Sequence, residues 1–202
     1  MNFPRTVVLL IGLPGSGKTT LAKRLQEYMG CPWFNADKVR ATLSEDLDFS
    51  EKSRLLQARR MAQICALTLE YETSNLVIAD FVCPTRAMRT LFHSSLRFPS
   101  EILRGKQTNV DILDLLTPPR VFTVFMNTIE THDSRFKDTA VMFEAPTKDE
   151  FNLRIDSFPK NNEARHDLVS FIAGNLISSS TPGRIYDYPL GLTFDGTRVC
   201  NG

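Results

Sequence analysis

One stretch near the start of the chain, TVVLLIGLPGSGKTTLAKRL at residues 6–25, constrains the fold more than any other. The β-branched and aliphatic run Thr6–Ile11 predicts a buried strand. The next eight residues, Gly12–Thr19, match the pattern G-x-x-x-x-G-K-[ST] at every fixed position. An amphipathic helix should follow, with Leu21, Leu25 and Tyr28 on its apolar side. A strand, this loop and a helix in that order predict a phosphate-binding loop in an α/β fold.

The residue types in this loop suit bound phosphate. Its three glycines let the backbone turn tightly and point N–H groups inward, and the helix N-terminus adds partial positive charge. Lys18 supplies a cation for the β- and γ-phosphates, and Thr19 offers a hydroxyl to Mg²⁺. The alternative is a glycine-rich turn with an incidental lysine. The candidate ATP-binding residues here are Gly12, Gly15, Ser16, Gly17, Lys18, Thr19 and Thr20.

A second candidate site follows a short predicted strand that ends at Trp33-Phe34. A helix should open there and carry Asp37 and Arg40 on one face. Because ligands bind at the carboxyl edge of a parallel sheet, Asp37 is a candidate to accept a proton from an acceptor hydroxyl, and Arg40 a candidate to hold an anionic group. The alternative is that Asp37 caps the helix and Arg40 is a solvated surface charge.

A long helix is predicted over residues 51–73, capped by Ser50, with Ile64, Leu67 and Tyr71 as its apolar stripe. Arginines near a helix start oppose its dipole, so an anionic ligand there would compensate them. The alternative is a solvated surface. These arginines are Arg54, Arg59 and Arg60.

The next predicted strand runs from Asn75 to Phe81 and has an acid near its end. Asp80 lies where a carboxylate that orients Mg²⁺ is expected in phosphate-loop enzymes. The alternative is an aspartate that caps a turn.

Composition excludes some classes of function. With 202 residues the chain can form one domain with a sizeable core, and its net charge of +1 indicates no global nucleic-acid or membrane-binding surface. Four cysteines occur without a C-x-x-C pattern, which favours a reducing, cytoplasmic setting, the host cytoplasm for a viral protein. The apolar run before Gly12 is interpreted as a core strand rather than a signal peptide, and no stretch reaches membrane-spanning length.

Five short patterns within residues 5–90 arrive in order and carry a family resemblance. They are Gly-Leu-x-Gly-Ser-Gly-Lys-Thr-Thr-Leu-Ala, x-x-Asp-x-Val-Arg, Asp-Leu-x-Phe-Ser, Arg-x-x-x-x-Arg-Arg and Phe-x-x-Pro-x-Arg-x-x-Arg. Together they resemble adenylylsulfate kinase. The resemblance implies a P-loop kinase fold, ATP with Mg²⁺, and transfer of the γ-phosphate to a hydroxyl on a nucleotide-like acceptor.

The resemblance also implies roles for individual residues. Asp37 would be the base or a metal-linked carboxylate, and Phe49 and Phe81 would sandwich the base of the acceptor. The implied acceptor-binding residues are Arg40, Phe49, Arg54, Arg59, Phe81 and Arg86.

Departures from the family pattern open a second hypothesis. The usual Asp-Gly-Asp is Asn35-Ala36-Asp37 here, and Asn-x-Asp-x-x-Arg with a strand ending in Asp80 resembles phage-type polynucleotide kinases. The lid segment also looks short. A hydroxyl in DNA or RNA, such as 5-hydroxymethyluracil or a 5′-hydroxyl, is therefore an alternative acceptor. A nucleotide-binding module without transfer is a third hypothesis, because one carboxylate is missing.

The rest of the chain is less informative. Residues 94–118 are predicted to be a basic insertion, either a solvated loop or a contact to a substrate backbone. A strand over 120–127 should lead into a lid at 128–146, where Arg135 and Lys137 are candidates to neutralise charge during transfer. A strand at 151–155 and a helix at 163–176 complete the domain. The tail, 177–202, is predicted to be irregular coil or an arm, and a homodimer interface is one role considered for it.

The sequence thus predicts an α/β P-loop kinase domain over residues 1–176, with a mostly parallel five-stranded sheet sandwiched by helices. Its predicted cofactors are ATP and Mg²⁺, with Lys18, Asp37 and Arg40 as catalytic residues and Thr19 and Asp80 as metal ligands. Its predicted partner is a nucleotide-type small molecule or a nucleic acid, and no membrane association is predicted.

Overall fold

The structure is a computed structural model that describes residues 4–96, 118–129, 137–178, 192–196 and 199–201. The strands are β1 (Thr6–Ile11), β2 (Trp33–Asn35), β3 (Leu76–Asp80), β4 (Arg120–Met126), β5 (Leu153–Ile155), β6 (Leu192–Phe194) and β7 (Val199–Asn201). The helices are α1 (Lys18–Met29), α2 (Ala36–Leu43), α3 (Glu51–Tyr71), α4 (Arg86–Ser95), α5 (Lys137–Val141) and α6 (Asn162–Ser178), with a 3₁₀ turn at Lys148–Glu150.

The described strands form one sheet in the order β2-β3-β1-β4-β5-β6-β7. Every neighbouring pair is parallel except β6–β7, which is antiparallel. The prediction of a mostly parallel sheet between helices is confirmed. The prediction of five strands is wrong, because the sheet has seven.

The two additional strands come from the tail, which was predicted to be coil or an arm. β6 continues the sheet beside β5, with Ile155 opposite Phe194, and Phe194 is 6% exposed. Both strands lie in a segment rich in Ser, Pro and Gly, a composition typical of loops, so only the pairing of β6 with β5 and of β7 with β6 reveals them. No helix in the described ranges has the length and apolar character that crossing a bilayer requires.

Alternate residues of β1 serve two apolar layers. Val7, Leu9 and Ile11 pack with residues of α3 and α4, whereas Val8 and Leu10 pack with residues of α1 and α6. A strand covered on both faces must be apolar at every position, which explains the continuous run in the sequence. The loop after β1 is thereby fixed at the carboxyl edge of the sheet centre.

The buried face of α3 differs from the predicted stripe. Leu67 is 47% exposed and Tyr71 is 65% exposed, so neither belongs to the core. The buried face consists of mostly small residues, Gln57, Ala58, Met61, Ala62, Cys65, Ala66 and Leu69. Small side chains let α3 approach α4 and the sheet closely, and their low hydrophobicity hid this face in the sequence.

Arg89 joins α4 to the segment that follows α5. Its side chain is 4% exposed, and its Nε lies 2.9 Å from Glu150 Oε1. Its Nη1 also donates to the backbone oxygen of Glu144 at 3.0 Å. Helix α4 continues to Ser95, and residues 97–117 of the predicted insertion 94–118 lie outside the described residues, so the insertion stays a prediction.

We expect Arg89→Met to lower the free energy of unfolding by about 2 kcal/mol, because Glu150 loses the cation that compensates its burial. Urea denaturation followed by circular dichroism measures this change. Arg86→Met is the matched control, because the Arg86 side chain pairs with Asp149 while 59% exposed and should change the midpoint little. Equal midpoints for the two variants would contradict the structural role of Arg89.

Candidate active site

The loop between β1 and α1 has the backbone shape that a phosphate cradle requires. Gly12, Gly15 and Gly17 have φ values of 143°, 85° and 92°, which residues with a Cβ rarely adopt. A Cβ at Gly12 would also lie 2.4 Å from the backbone oxygen of Met126 on the neighbouring strand. Gly17 directly precedes α1, so the N–H groups at the helix start face the loop. This geometry fits an anion such as a chain of phosphates.

Lys18 lies across this loop and is nearly buried. Its Nζ donates to the backbone oxygens of Gly12 and Leu13 at 2.8 and 2.7 Å. Burial lowers the pKa of Lys18 to about 8, although the carboxylates of Asp80 and Asp37 raise it. A cation held this way is short of negative partners, so a bound phosphate would supply what burial has removed.

Thr19, Asn35 and Asp80 meet at the carboxyl edge of β2 and β3. The Thr19 hydroxyl donates to Asp80 Oδ2 at 2.8 Å, and the Asn35 amide donates to the same oxygen at 2.9 Å. Asp80 is 1% exposed; burial raises its pKa, against hydrogen bonds from Asn35 and Thr19 and the charge of Lys18. A buried carboxylate beside a hydroxyl is an oxygen donor set that suits Mg²⁺, which binds through one or two carboxylates plus substrate phosphates.

Asp37 lies in the first turn of α2 and is exposed. The helix is capped by Asn35, whose Oδ1 accepts from the backbone N–H groups of Asp37 and Lys38 at 3.2 Å each. Asp37 is therefore not the cap, and in the described residues its carboxylate makes no hydrogen bond to another side chain. Its charge acts on both Lys18 and Asp80, which places it near the phosphate loop.

Phe49 forms an exposed aromatic platform beside two arginines. It is 67% exposed, and the guanidinium carbons of Arg40 and Arg54 lie 4.9 and 5.5 Å from its ring centroid. Backbone oxygens hold both guanidinium groups: Arg40 donates to Asp48 at 2.8 Å, and Arg54 donates to Phe49 itself at 2.8 Å. Burial and the nearby Arg54 lower the pKa of Arg40. A flat, anionic ligand would find both a stacking surface and positive charge here.

The predicted sandwich of Phe49 and Phe81 is wrong. Phe81 is 7% exposed and packs in the core against Phe92, with ring centroids 5.5 Å apart. Successive side chains of a strand point to opposite faces, so when Asp80 faces Thr19 the next residue must enter the α3–α4 layer. The sequence signal, an aromatic at a strand end, did not reveal on which face the ring lies.

The remaining predicted site residues fall into three groups. Arg86 pairs with Asp149 at 3.0 Å, whereas Arg59 is exposed and no described side chain pairs with it. Ser16 is 1% exposed inside the loop, and Thr20 is exposed on the first turn of α1. Arg135 and residues 130–136 of the predicted lid lie outside the described residues, and their predicted roles stay predictions.

Sequence reasoning missed one feature beside the loop. Phe158 lies after β5, and its ring is 3.6 Å from where a Cβ of Gly17 would stand. The guanidinium of Arg165 lies 5.3 Å from the centroid of that ring. An aromatic just beyond the carboxyl end of a strand, at the same edge as Asp37 and Asp80, was the available signal.

Comparison with known proteins supports the resemblance. Residues 5–101 match the sequence profile of the adenylylsulphate kinase family. A probable adenylyl-sulfate kinase of Aeropyrum pernix is 37% identical over 90 residues, which are 42% of this chain and 48% of that protein. The chain thus matches about half the length of that relative. An adenylyl-sulfate kinase of Deinococcus deserti is 28% identical over 156 residues, 74% of this chain and 82% of that protein.

The fold is also that of solved kinases. The structure of the Mycobacterium tuberculosis APS kinase in complex with AMPPNP and APS superposes with a TM-score of 0.59 at 17% identity. The match covers 88% of this chain and 99% of that one. The predicted P-loop kinase fold is confirmed, and so is the predicted likeness to adenylylsulfate kinases.

Proposed function

We propose that this chain, whose N-terminal half has the adenylylsulfate kinase pattern, is an ATP-dependent kinase with an alcohol group as acceptor. One observation carries the proposal. The phosphate loop with Lys18, the Thr19–Asp80 pair and the free carboxylate of Asp37 lie at one edge of one sheet. Phosphoryl transfer needs positioned charge more than covalent chemistry, and this edge supplies positive charge, a metal ligand set and a base.

In the proposed reaction, the loop N–H groups and Lys18 bind the β- and γ-phosphates of ATP. Thr19 and Asp80 would hold Mg²⁺, which when bound neutralises charge on those phosphates. Asp37 accepts the proton of the acceptor hydroxyl while the oxygen of that hydroxyl bonds to the γ-phosphorus. The bond to the bridging oxygen of the β-phosphate breaks, and ADP leaves with that electron pair. Arg40, fixed by the backbone of the 47–48 turn, holds the acceptor near Asp37.

The acceptor is proposed to be a nucleotide that carries a second anionic group, as adenylyl sulfate does. Phe49 offers its exposed ring for stacking, and Arg40 and Arg54 add two cations within 6 Å of that ring. The curated relatives are named adenylyl-sulfate kinases, which favours the same acceptor here.

The other two hypotheses receive less support. The DNA alternative rested partly on the basic insertion and on the short lid. Residues 97–117 of the insertion and 130–136 of the lid lie outside the described residues, and the comparisons point to adenylyl-sulfate kinases instead. The non-catalytic module rested on the carboxylate missing at position 35, but Asp80 places a carboxylate within 2.9 Å of that position.

Transfer of labelled γ-phosphate from ATP tests the proposal, with adenylyl sulfate in one reaction and 5′-hydroxyl or 5-hydroxymethyluracil DNA in others. We expect label on adenylyl sulfate, and loss of acceptor affinity with little loss of ATP affinity in Phe49→Ala. The matched control is Tyr71→Ala, since Tyr71 is equally exposed, at 65% against 67%, but lies at the far end of α3. Label on DNA alone would replace the proposed acceptor, and ATP bound without any transfer would favour the binding module.

A further inference from the structure

Position 35 is where this chain departs from the Asp-Gly-Asp pattern of the family it resembles. The amide of Asn35 uses both of its ends. Its Oδ1 caps α2 by accepting from the N–H groups of Asp37 and Lys38. Its Nδ2 donates to Asp80 Oδ2 at 2.9 Å and lies 3.5 Å from the Thr19 hydroxyl oxygen. One side chain thus connects the helix that carries Asp37 to the carboxylate beside Thr19.

The sheet register enforces this meeting. β2 and β3 are parallel neighbours, and Asn35 lies directly opposite Asp80. Because Asp80 is 1% exposed, few water molecules can hydrogen-bond to its carboxylate. Thr19 and Asn35 both donate hydrogen bonds to Oδ2 and replace that water.

A carboxylate at position 35 would reverse this interaction. Two carboxylate groups at hydrogen-bond distance in a buried site repel each other unless they share a proton or a cation. An aspartate at 35 could still cap α2, because Asn and Asp are about equally good caps. The choice of an amide at position 35 is therefore explained by Asp80 and not by the helix.

We propose that Asn35 and Asp80 form a matched amide–carboxylate pair. Asp80 carries the negative charge of this cluster at the end of β3, and Asn35 is the positioning residue that holds Asp80 towards Thr19. The assignment of Thr19 and Asp80 to Mg²⁺ rests on the proposed function, whereas the pairing of positions 35 and 80 rests on the geometry alone.

A reciprocal exchange tests the pair. Four proteins are compared: the natural chain, Asn35→Asp, Asp80→Asn, and the double variant Asn35→Asp/Asp80→Asn. The readouts are the melting temperature in EDTA and in Mg²⁺, the Kd for ATP with and without Mg²⁺, and kcat and KM. The double variant restores one carboxylate and one amide at the same two positions, with their strands exchanged.

We expect Asn35→Asp to lower the melting temperature in EDTA by several degrees, with partial recovery in Mg²⁺. Asp80→Asn should reduce by at least tenfold the gain in ATP affinity that Mg²⁺ provides. The double variant should recover most of both losses. Asn35→Ser keeps a capping oxygen but removes the donor to Asp80, so it should raise the KM for Mg·ATP with a smaller change in kcat.

Asn161→Asp is the matched control. Asn161 caps α6, since its Oδ1 accepts from the N–H of Ala164 at 2.7 Å, and it is exposed. The same chemical change at a cap without a carboxylate partner should leave the melting temperature and ATP binding unchanged. Any effect of Asn35→Asp beyond this control therefore reports on Asp80.

The results separate this inference from the proposed function. The pair is overturned if the effects of the two single substitutions on melting temperature and ATP affinity simply add in the double variant. It is also overturned if Asn35→Asp leaves the melting temperature in EDTA unchanged. Either result counts even if the natural chain transfers phosphate. Absence of transfer to any acceptor would overturn the proposed function, while melting temperature and ATP affinity still decide the pair. If Asp80→Asn alone does not fold, a double variant that folds and is soluble supports the pair. An Asn35→Ser variant that binds Mg·ATP as tightly as the natural chain contradicts the pair.

Discussion

Lys18→Met should lower kcat/KM for phosphate transfer by about 10³-fold, because the loop loses its only full charge on the transferred phosphates. Methionine has a similar length and no charge, so it can occupy the space beside Gly12 and Leu13 without their hydrogen bonds. The fold should tolerate this change. Burial lowers the pKa of Lys18 to about 8, so a neutral side chain removes a group that folding has desolvated.

Three measurements make this expectation decisive: the melting temperature, the Kd for ATP and the rate of transfer. We expect an equal or higher melting temperature, together with weaker ATP binding and lost transfer. Lys23→Met is the matched control, since Lys23 is 69% exposed on the same helix and pairs only loosely with Glu27 at 4.0 Å. If Lys18→Met and Lys23→Met turn over alike, the loop does not bind the transferred phosphates.

Residues whose role depends on position along the chain were predictable from the sequence. The phosphate loop is contiguous, so Gly12, Lys18 and Thr19 could be assigned from spacing alone. Asp37 and Asp80 follow strands, and the carboxyl ends of parallel strands share one edge, so their proximity to the loop was also predictable.

Residues whose role depends on direction or on pairing were not predictable. Asp80 and Phe81 are adjacent, yet one faces Thr19 and the other enters the core, because side chains alternate across a sheet. The contact between Asn35 and Asp80 depends on the register of β2 against β3, which no local pattern encodes. For the same reason, the sequence showed only that a carboxylate is missing at position 35, which favoured a non-catalytic module. The structure places the carboxylate of Asp80 next to the amide at that position.

Asp37→Asn should lower kcat by 10²- to 10⁴-fold, with little change in the Kd for ATP, because it removes the proposed base and leaves the phosphate loop intact. The substitution should not disturb α2. Asp37 contributes its backbone N–H to the Asn35 cap, and asparagine retains that group.

Asp167→Asn is the matched control for this change, because Asp167 is an exposed aspartate on α6, away from the carboxyl edge of β2 and β3. Single-turnover transfer with saturating ATP separates the chemical step from binding and product release. A rate within about tenfold of the natural chain would show that Asp37 does not take the proton, since general base catalysis contributes at least about that much. The acceptor hydroxyl would then lose its proton to solvent or to the γ-phosphate, and the role of α2 would reduce to placing Arg40, in its last turn, beside Phe49.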